Sequence, residues 1–97
     1  MIDFKDILYK VNINAVIGST NVFIRNIDFD SRKIAINDVF VAIKGSIVDG
    51  HDYINLAIKQ GAMVVVCETM PHNLNQKVTY VQVEDTTRAL AIMASNY

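Results

Sequence analysis

The spacing of apolar residues changes several times along this chain, and each change marks a predicted element. Phe4, Ile7, Leu8 and Val11 recur at helical spacing behind Asp3, a residue type that caps helix starts, so a short amphipathic helix is predicted over 3–10. Apolar residues stand singly among Asn12, Asn14, Gly18, Ser19 and Asn21, which predicts an irregular connection over 11–21. VFIRNIDF, 22–29, is rich in β-branched and apolar residues and alternates in part, so it reads as a strand. DSRKIAIND is a polar break that must turn the chain into DVFVAIKG, 38–45, a second strand ending at a glycine. In HDYINLAIKQG, Ile54, Ala57 and Ile58 form a helical stripe with Asp52 as a plausible cap and Gly61 as the stop. MVVVC, 63–67, has the unbroken apolar character of a strand covered on both faces. ETMPHNLNQK reads as a surface loop around Pro71, and TYVQVE, 79–84, as a further strand. Leu90, Met93, Ala94 and Tyr97 share one face of a last helix capped by Asp85 or Thr86.

The order helix, strand, strand, helix, strand, strand, helix predicts a small α/β domain, a mixed β-sheet flanked by helices, with binding loops beyond the strand ends. At 97 residues there is room for one domain. An apolar fraction of 52% predicts a folded core rather than a disordered segment. The last apolar face runs to Asn96 and Tyr97 without a stop signal, which reads as the edge of a longer polypeptide.

Charge narrows the function. Nine basic and ten acidic residues leave a formal charge of -1, and the basic residues never form a run, so neither nucleic acid nor a membrane surface is an expected partner. The single cysteine, Cys67, excludes an intrachain disulfide, and the opening MIDFKDILYK lacks the apolar run of a leader. The cytoplasm is the expected compartment. A monomer is expected too, since no heptad pattern calls for association.

Candidate chemistry is sparse. The two histidines, His51 and His72, lack the close ligand spacing of a metal site, and Cys67 inside MVVVC reads as a buried hydrophobe. Gly18, Gly45, Gly50 and Gly61 form neither GxGxxG nor GxxxxGK[ST], so no ATP or dinucleotide fingerprint is present. Asp28 and Asp30, two apart, either share a strand face with their carboxylates near each other or form a strand end and a turn-bonding Asp. DSR, 30–32, sets a carboxylate, a hydroxyl and a guanidinium at a strand exit, where they serve either a small ligand or the turn itself. KGSIVDGHD, 44–52, joins a strand to a helix through two glycines, a setting for a phosphate group or again a plain turn; Asp49 and Asp52 argue against an anion.

These two segments, with the spacing between them, carry a resemblance. DSRKIAINDVFVAIKGSIVDGHDYINLAIKQGAMVVVCE resembles the N-terminal domain of the muramyl-peptide ligases that build the peptidoglycan stem peptide. VTYVQVEDTTRALAIMASNY is similar to the continuation in the MurE type, which adds the third stem residue. The resemblance implies that residues 1–97 are an N-terminal domain binding the UDP part of UDP-N-acetylmuramoyl-L-alanyl-D-glutamate. Central ATP-binding and C-terminal ligase domains of the same polypeptide would then be its partners. It implies Phe29 and Ser31 beside the uracil and Ser46, Ile47 and Val48 along the uridine diphosphate, largely through backbone contacts, with Arg32, Lys44 and His51 as further candidate contacts. No catalytic residue, metal or cofactor is implied within this domain; ATP and Mg2+ are implied for the full-length ligase, which joins meso-diaminopimelate or L-lysine to an activated D-glutamate carboxylate. Where relatives have GDLF this chain has NDVF, 37–40; an asparagine can occupy a turn or a left-handed conformation, so the fold is expected to survive with a different loop geometry. The alternatives are the same domain of a MurF-type, D-alanyl-D-alanine-adding ligase, which shares the DSR and DGHD segments, and a non-catalytic interaction domain without a nucleotide site.

Overall fold

Strand alternation distributes the apolar side chains to the two faces of a central sheet. The computed structural model describes residues 1–97. Its elements are β1 (Ile2–Asp3), α1 (Phe4–Ile7), β2 (Ala15–Ile17), β3 (Phe23–Ile24), β4 (Ile27–Asp28), β5 (Val39–Val41), α2 (Ile54–Gln60), β6 (Val64–Cys67), β7 (Thr79–Gln82) and α3 (Thr86–Asn96). Five strands form a mixed sheet in the order β2-β7-β6-β5-β4, in which β2 runs antiparallel to β7 and all other neighbours are parallel. β1 and β3 form a separate antiparallel pair.

Side chains two apart on a strand share a face. Val39, Val41, Val64, Val66 and Val81 therefore pack on one side with Phe4 and Ile7 of α1 and Ala89 and Met93 of α3. Phe40, Val65, Cys67 and Tyr80 point to the other side, against Ile54 and Ala57 of α2. Both layers are closed, which is why MVVVC lacks polar alternation. Asn96 at the end of α3 donates through Nδ2 to the carbonyls of Ile7 and Tyr9, tying the last helix to the first. No helix is long and apolar enough to cross a membrane.

Several predicted boundaries are corrected. The helix expected over 3–10 is the single turn Phe4–Ile7, preceded by β1, and Lys10 leaves it with a φ of 66°. The irregular connection expected over 11–21 contains β2, whose residues Ala15, Val16 and Ile17 pair with Gln82, Val81 and Tyr80. The strand expected over 22–29 is two strands in two sheets. At the break Arg25 N–H donates to the Asn37 carbonyl, the Asn26 side chain accepts from Ile27 N–H, and Arg25 pairs with Asp38 at 2.8 Å. The second strand is shorter than 38–45, being Val39–Val41. The helix expected from 51 opens as a 3-10 turn, Gly50–Tyr53, capped by Asp49 rather than Asp52, and becomes α-helical only at Ile54.

Two turn residues behave as their chemistry dictates. Gly61 ends α2 at a φ of 118°, and an added Cβ would lie 2.6 Å from Ile36 Cα, so only glycine fits. Asn37 takes a φ of 71°, the left-handed conformation that asparagine tolerates better than most residues.

Candidate functional site

Because β4, β5, β6 and β7 are parallel, their carboxyl ends open on one edge of the sheet, the usual position for a ligand crevice. Outside β4 and β5 lies a cavity of about 670 Å3. The exit of β4 supplies Phe29, Asp30, Ser31 and Arg32; β5 and its exit supply Phe40 and Ile43. The following loop adds Gly45, Val48 and Gly50, and Tyr53 and Leu56 close the far side. The lining is predominantly apolar, and two aromatic residues at its rim, Phe29 and Tyr53, are 59% and 40% exposed, leaving ring surface free for a planar group.

The β4 exit is bonded to itself. Asp28 accepts from Asp30 N–H, Asp30 caps the 3-10 turn Ser31–Lys33, and the Arg32 guanidinium returns to the Asp30 carboxylate through Nε and Nη2 at 3.0 and 2.9 Å. The two aspartates thus serve the turn, and the charge of Arg32 is largely matched by its neighbour. Ser31 is buried at 8% exposure, and its carbonyl accepts from the Gln60 side chain of α2. The Arg32 side chain, with its backbone N–H, holds the Asp30 carboxyl down to about 2. Since this folded value lies below the ordinary 3.8, the turn's stabilisation is complete above about pH 4 and fades as pH falls through 2. A carbon-detected NMR titration is expected to give Asp30 a midpoint near 2; a midpoint at 3.8 would show that the pair does not form in solution.

The β5 exit forms a small hairpin. Lys44 and Asp49 pair as an antiparallel bridge, Gly45 N–H donates to the Val48 carbonyl at 2.9 Å, and Gly50 N–H donates to the Ile43 carbonyl at 2.7 Å. Ser46 and Ile47 occupy the tip, outside the cavity lining, with Ile47 94% exposed. Among the sequence candidates, Phe29, Ser31, Arg32 and Val48 therefore converge on one cavity, while Ser46 and Ile47 lie outside its lining. Lys44 faces a separate polar cleft with Glu68, Asp85 and Arg88. His51 lines neither space; its ring bonds Asp49 and the Glu68 backbone. Both His51 bonds to Asp49, the backbone one first, lower the Asp49 pKa.

Cys67 is fully buried, and burial pushes its thiol up to about 11, the opposite of an activated nucleophile. No group of three His, Cys, Asp or Glu side chains is arranged to hold a metal ion. Phe40, Ile43, Tyr53 and Leu56 line the cavity without standing out as candidates in the sequence. The available signal was their position one strand end or one helical turn from DSR and DGHD.

Comparison with known proteins identifies the family. The model of the Mur ligase family, described as its catalytic domain, matches residues 23–97. This chain belongs to the Mur ligase family. Among curated relatives of this Mur ligase chain, the UDP-N-acetylmuramoyl-L-alanyl-D-glutamate--2,6-diaminopimelate ligase of Phocaeicola vulgatus is 41% identical over 94% of the chain and 19% of its own length. The ligase of the same name from Cytophaga hutchinsonii is 42% identical over 96% of the chain and 19% of its own length. The chain thus spans about a fifth of the length of these relatives. Among solved structures, a MurF from Acinetobacter baumannii superposes with a TM-score of 0.66 at 27% identity, covering 75% of this chain and 15% of the other. The MurF ligase of Thermotoga maritima, solved in complex with ADP, gives 0.63 at 34% identity, covering 72% and 16%. The Mur ligase domain seen here shares their small mixed sheet flanked by helices.

Proposed function

We propose that this Mur ligase chain is the N-terminal, UDP-binding part of a MurE-type enzyme acting on UDP-N-acetylmuramoyl-L-alanyl-D-glutamate. The observation that carries the reading is the apolar cavity where Phe29, Ser31 and Val48 meet, in a chain about two-fifths identical to 2,6-diaminopimelate ligases along nearly its whole length. The uracil rests against the Phe29 ring, and the Ser31 hydroxyl, both donor and acceptor, serves its polar edge. The diphosphate follows the backbone of Ser46, Ile47 and Val48, with Arg32 of the cavity lining as the nearby cation. Binding energy from this remote handle orients the reacting carboxylate in the rest of the enzyme without a catalytic side chain here.

The whole enzyme, in this reading, forms an acyl phosphate on the D-glutamate carboxylate and captures it with the amino group of diaminopimelate. ATP and Mg2+ do not fit the residues of this chain, which has no phosphate-cradling GxxxxGK[ST] loop and no group of metal-ligating side chains. They are assigned to the central domain. A MurF-type reading has one specific observation in its favour, the likeness to MurF structures. The diaminopimelate ligases match more of the chain at higher identity, which favours the MurE type.

The test is a backbone-amide NMR titration with the UDP-N-acetylmuramoyl dipeptide, with a uracil-free sugar phosphate as control. Selective shifts at Phe29, Ser31 and Val48 are expected with the nucleotide alone. Phe29→Ala is expected to weaken binding about tenfold, since stacking a base on an aromatic ring contributes roughly 1–3 kcal/mol. Stability should hardly change, because the ring is more than half exposed. Equal shifts with the control, or none at millimolar nucleotide, would overturn the assignment and favour an interaction domain.

A further inference from the structure

The His51 ring spans two elements through bonds that leave no choice of tautomer. Its Nδ1 lies 2.8 Å from Asp49 Oδ1, and a carboxylate oxygen only accepts, so Nδ1 carries the proton. Its Nε2 lies 2.9 Å from Glu68 N and 3.4 Å from Thr69 N, and a backbone N–H only donates, so Nε2 presents its lone pair. The ring side chain is 15% exposed, and Glu68 follows directly on β6. Glu68 Oε2 in turn accepts from the backbone N–H and hydroxyl of Thr86 at the first turn of α3. A continuous run of hydrogen bonds thus joins the Lys44–Asp49 hairpin to the end of β6 and the start of α3.

We propose that His51 is a positioning residue for ligand binding: as the Nδ1–H tautomer it straps the Lys44–Asp49 hairpin to the end of β6 and so fixes the Gly45, Val48 and Gly50 wall of the cavity. The proposal rests on the reading of that cavity as the uridine diphosphate site. Its physical basis is that, beyond the Gly50 N–H to Ile43 carbonyl bond at its base and the bonds of Asp49 to the turn that follows, the hairpin has no backbone bond to the sheet. Residues 44–48 are exposed, and their cross-hairpin bonds tie the loop to itself and not to the sheet. The acceptor at Nε2 is the part of the ring that reaches another element.

Two substitutions separate the two nitrogens. Asparagine keeps a polar group near the Nδ1 position but offers nothing at Nε2, whereas glutamine can present its carbonyl oxygen near Nε2. In the wild-type chain, long-range proton–nitrogen spectra of the ring should show a protonated Nδ1 and a bare Nε2. In His51→Asn, amide exchange at Glu68 and Gly50 should accelerate and affinity for uridine diphosphate should fall about tenfold, as for loss of one buried hydrogen bond. His51→Gln should stay within about threefold of wild type on both readouts. Thermal melts check that each variant remains folded.

A ring protonated on Nε2 at neutral pH overturns the proposal. So does a folded Asn variant with wild-type exchange and affinity. A wild-type chain that binds no uridine diphosphate overturns the reading of the cavity, and the exchange comparison then still decides whether the ring holds the hairpin.

Discussion

Phe40→Ala is expected to lower the unfolding free energy by about 3–5 kcal/mol, the range for emptying a buried aromatic site. Phe40 is fully buried at the centre of β5, paired in register with Asp28 on one side and Val65 on the other. Its ring belongs to the layer beneath α2 with Ile54, Ala57 and Tyr80, and it also lines the candidate cavity. Removing it leaves a void among groups fixed by sheet hydrogen bonds, which cannot collapse inward. A domain of this size has roughly 5–15 kcal/mol in total, so the loss should move the urea midpoint far down with little change in slope. Phe40→Leu, which refills much of the volume, should cost under about 1.5 kcal/mol. If Phe40→Ala shifted the midpoint no more than the exposed Phe29→Ala, the assignment of Phe40 to the core would be wrong.

The parts of this fold that were legible in the sequence are those whose physics is local. MVVVC and VFVA have the continuous apolar character of strands buried on both faces, and both lie in the sheet as β6 and β5. DGHD before an apolar helical stripe marked the entry to α2, though the cap fell to Asp49, three residues earlier than expected. β2 was not legible. Its three residues are all exposed, and what makes them a strand is the free edge of β7, more than sixty residues away. The division of VFIRNIDF was hidden for a related reason. Its apolar and β-branched residues suit a strand throughout, and the break at Asn26 is held by Arg25 reaching Asn37 and Asp38 across the turn.

The candidate site divides in the same way. Phe29, Ser31 and Val48 stood out through the resemblance, and their convergence required only that β4 and β5 lie side by side and parallel. Phe40 and Ile43 were concealed because a pocket floor and a core position look alike in sequence. His51 stood out as a candidate ligand contact, but its bonding to Glu68, 17 residues on, depends on the order of strands in the sheet. Long-range placement of this kind leaves no mark in local spacing.

Gly50→Ala should disable both the fold around β5 and the cavity. Gly50 does not have a positive φ, so alanine is acceptable to the backbone there, and the obstacle is space. A Cβ would stand 2.6 Å from Ile43 N, 2.9 Å from Ile43 O and 3.1 Å from Ala42 Cα, all of them backbone atoms in or next to β5. No side-chain rotation relieves such contacts. The chain must part at the Gly50 N–H to Ile43 carbonyl hydrogen bond, which closes the base of the hairpin at 2.7 Å. Overpacking of this kind costs about 1–3 kcal/mol, and here it also displaces Ile43 and Gly50, two residues of the cavity lining. Gly45→Ala is the informative contrast. Its Cβ would meet a single atom, the Val48 carbonyl oxygen at 2.9 Å, within an exposed hairpin that can adjust. Urea unfolding should therefore show a large loss for Gly50→Ala and a small one for Gly45→Ala. Uridine nucleotide binding should disappear in the first even under conditions where it remains folded, because the strand and the hairpin no longer meet at the distance that shapes the wall. A Gly50→Ala chain with wild-type midpoint would show that the hairpin does not approach β5 this closely in solution, and the cavity would then have to be defined without it.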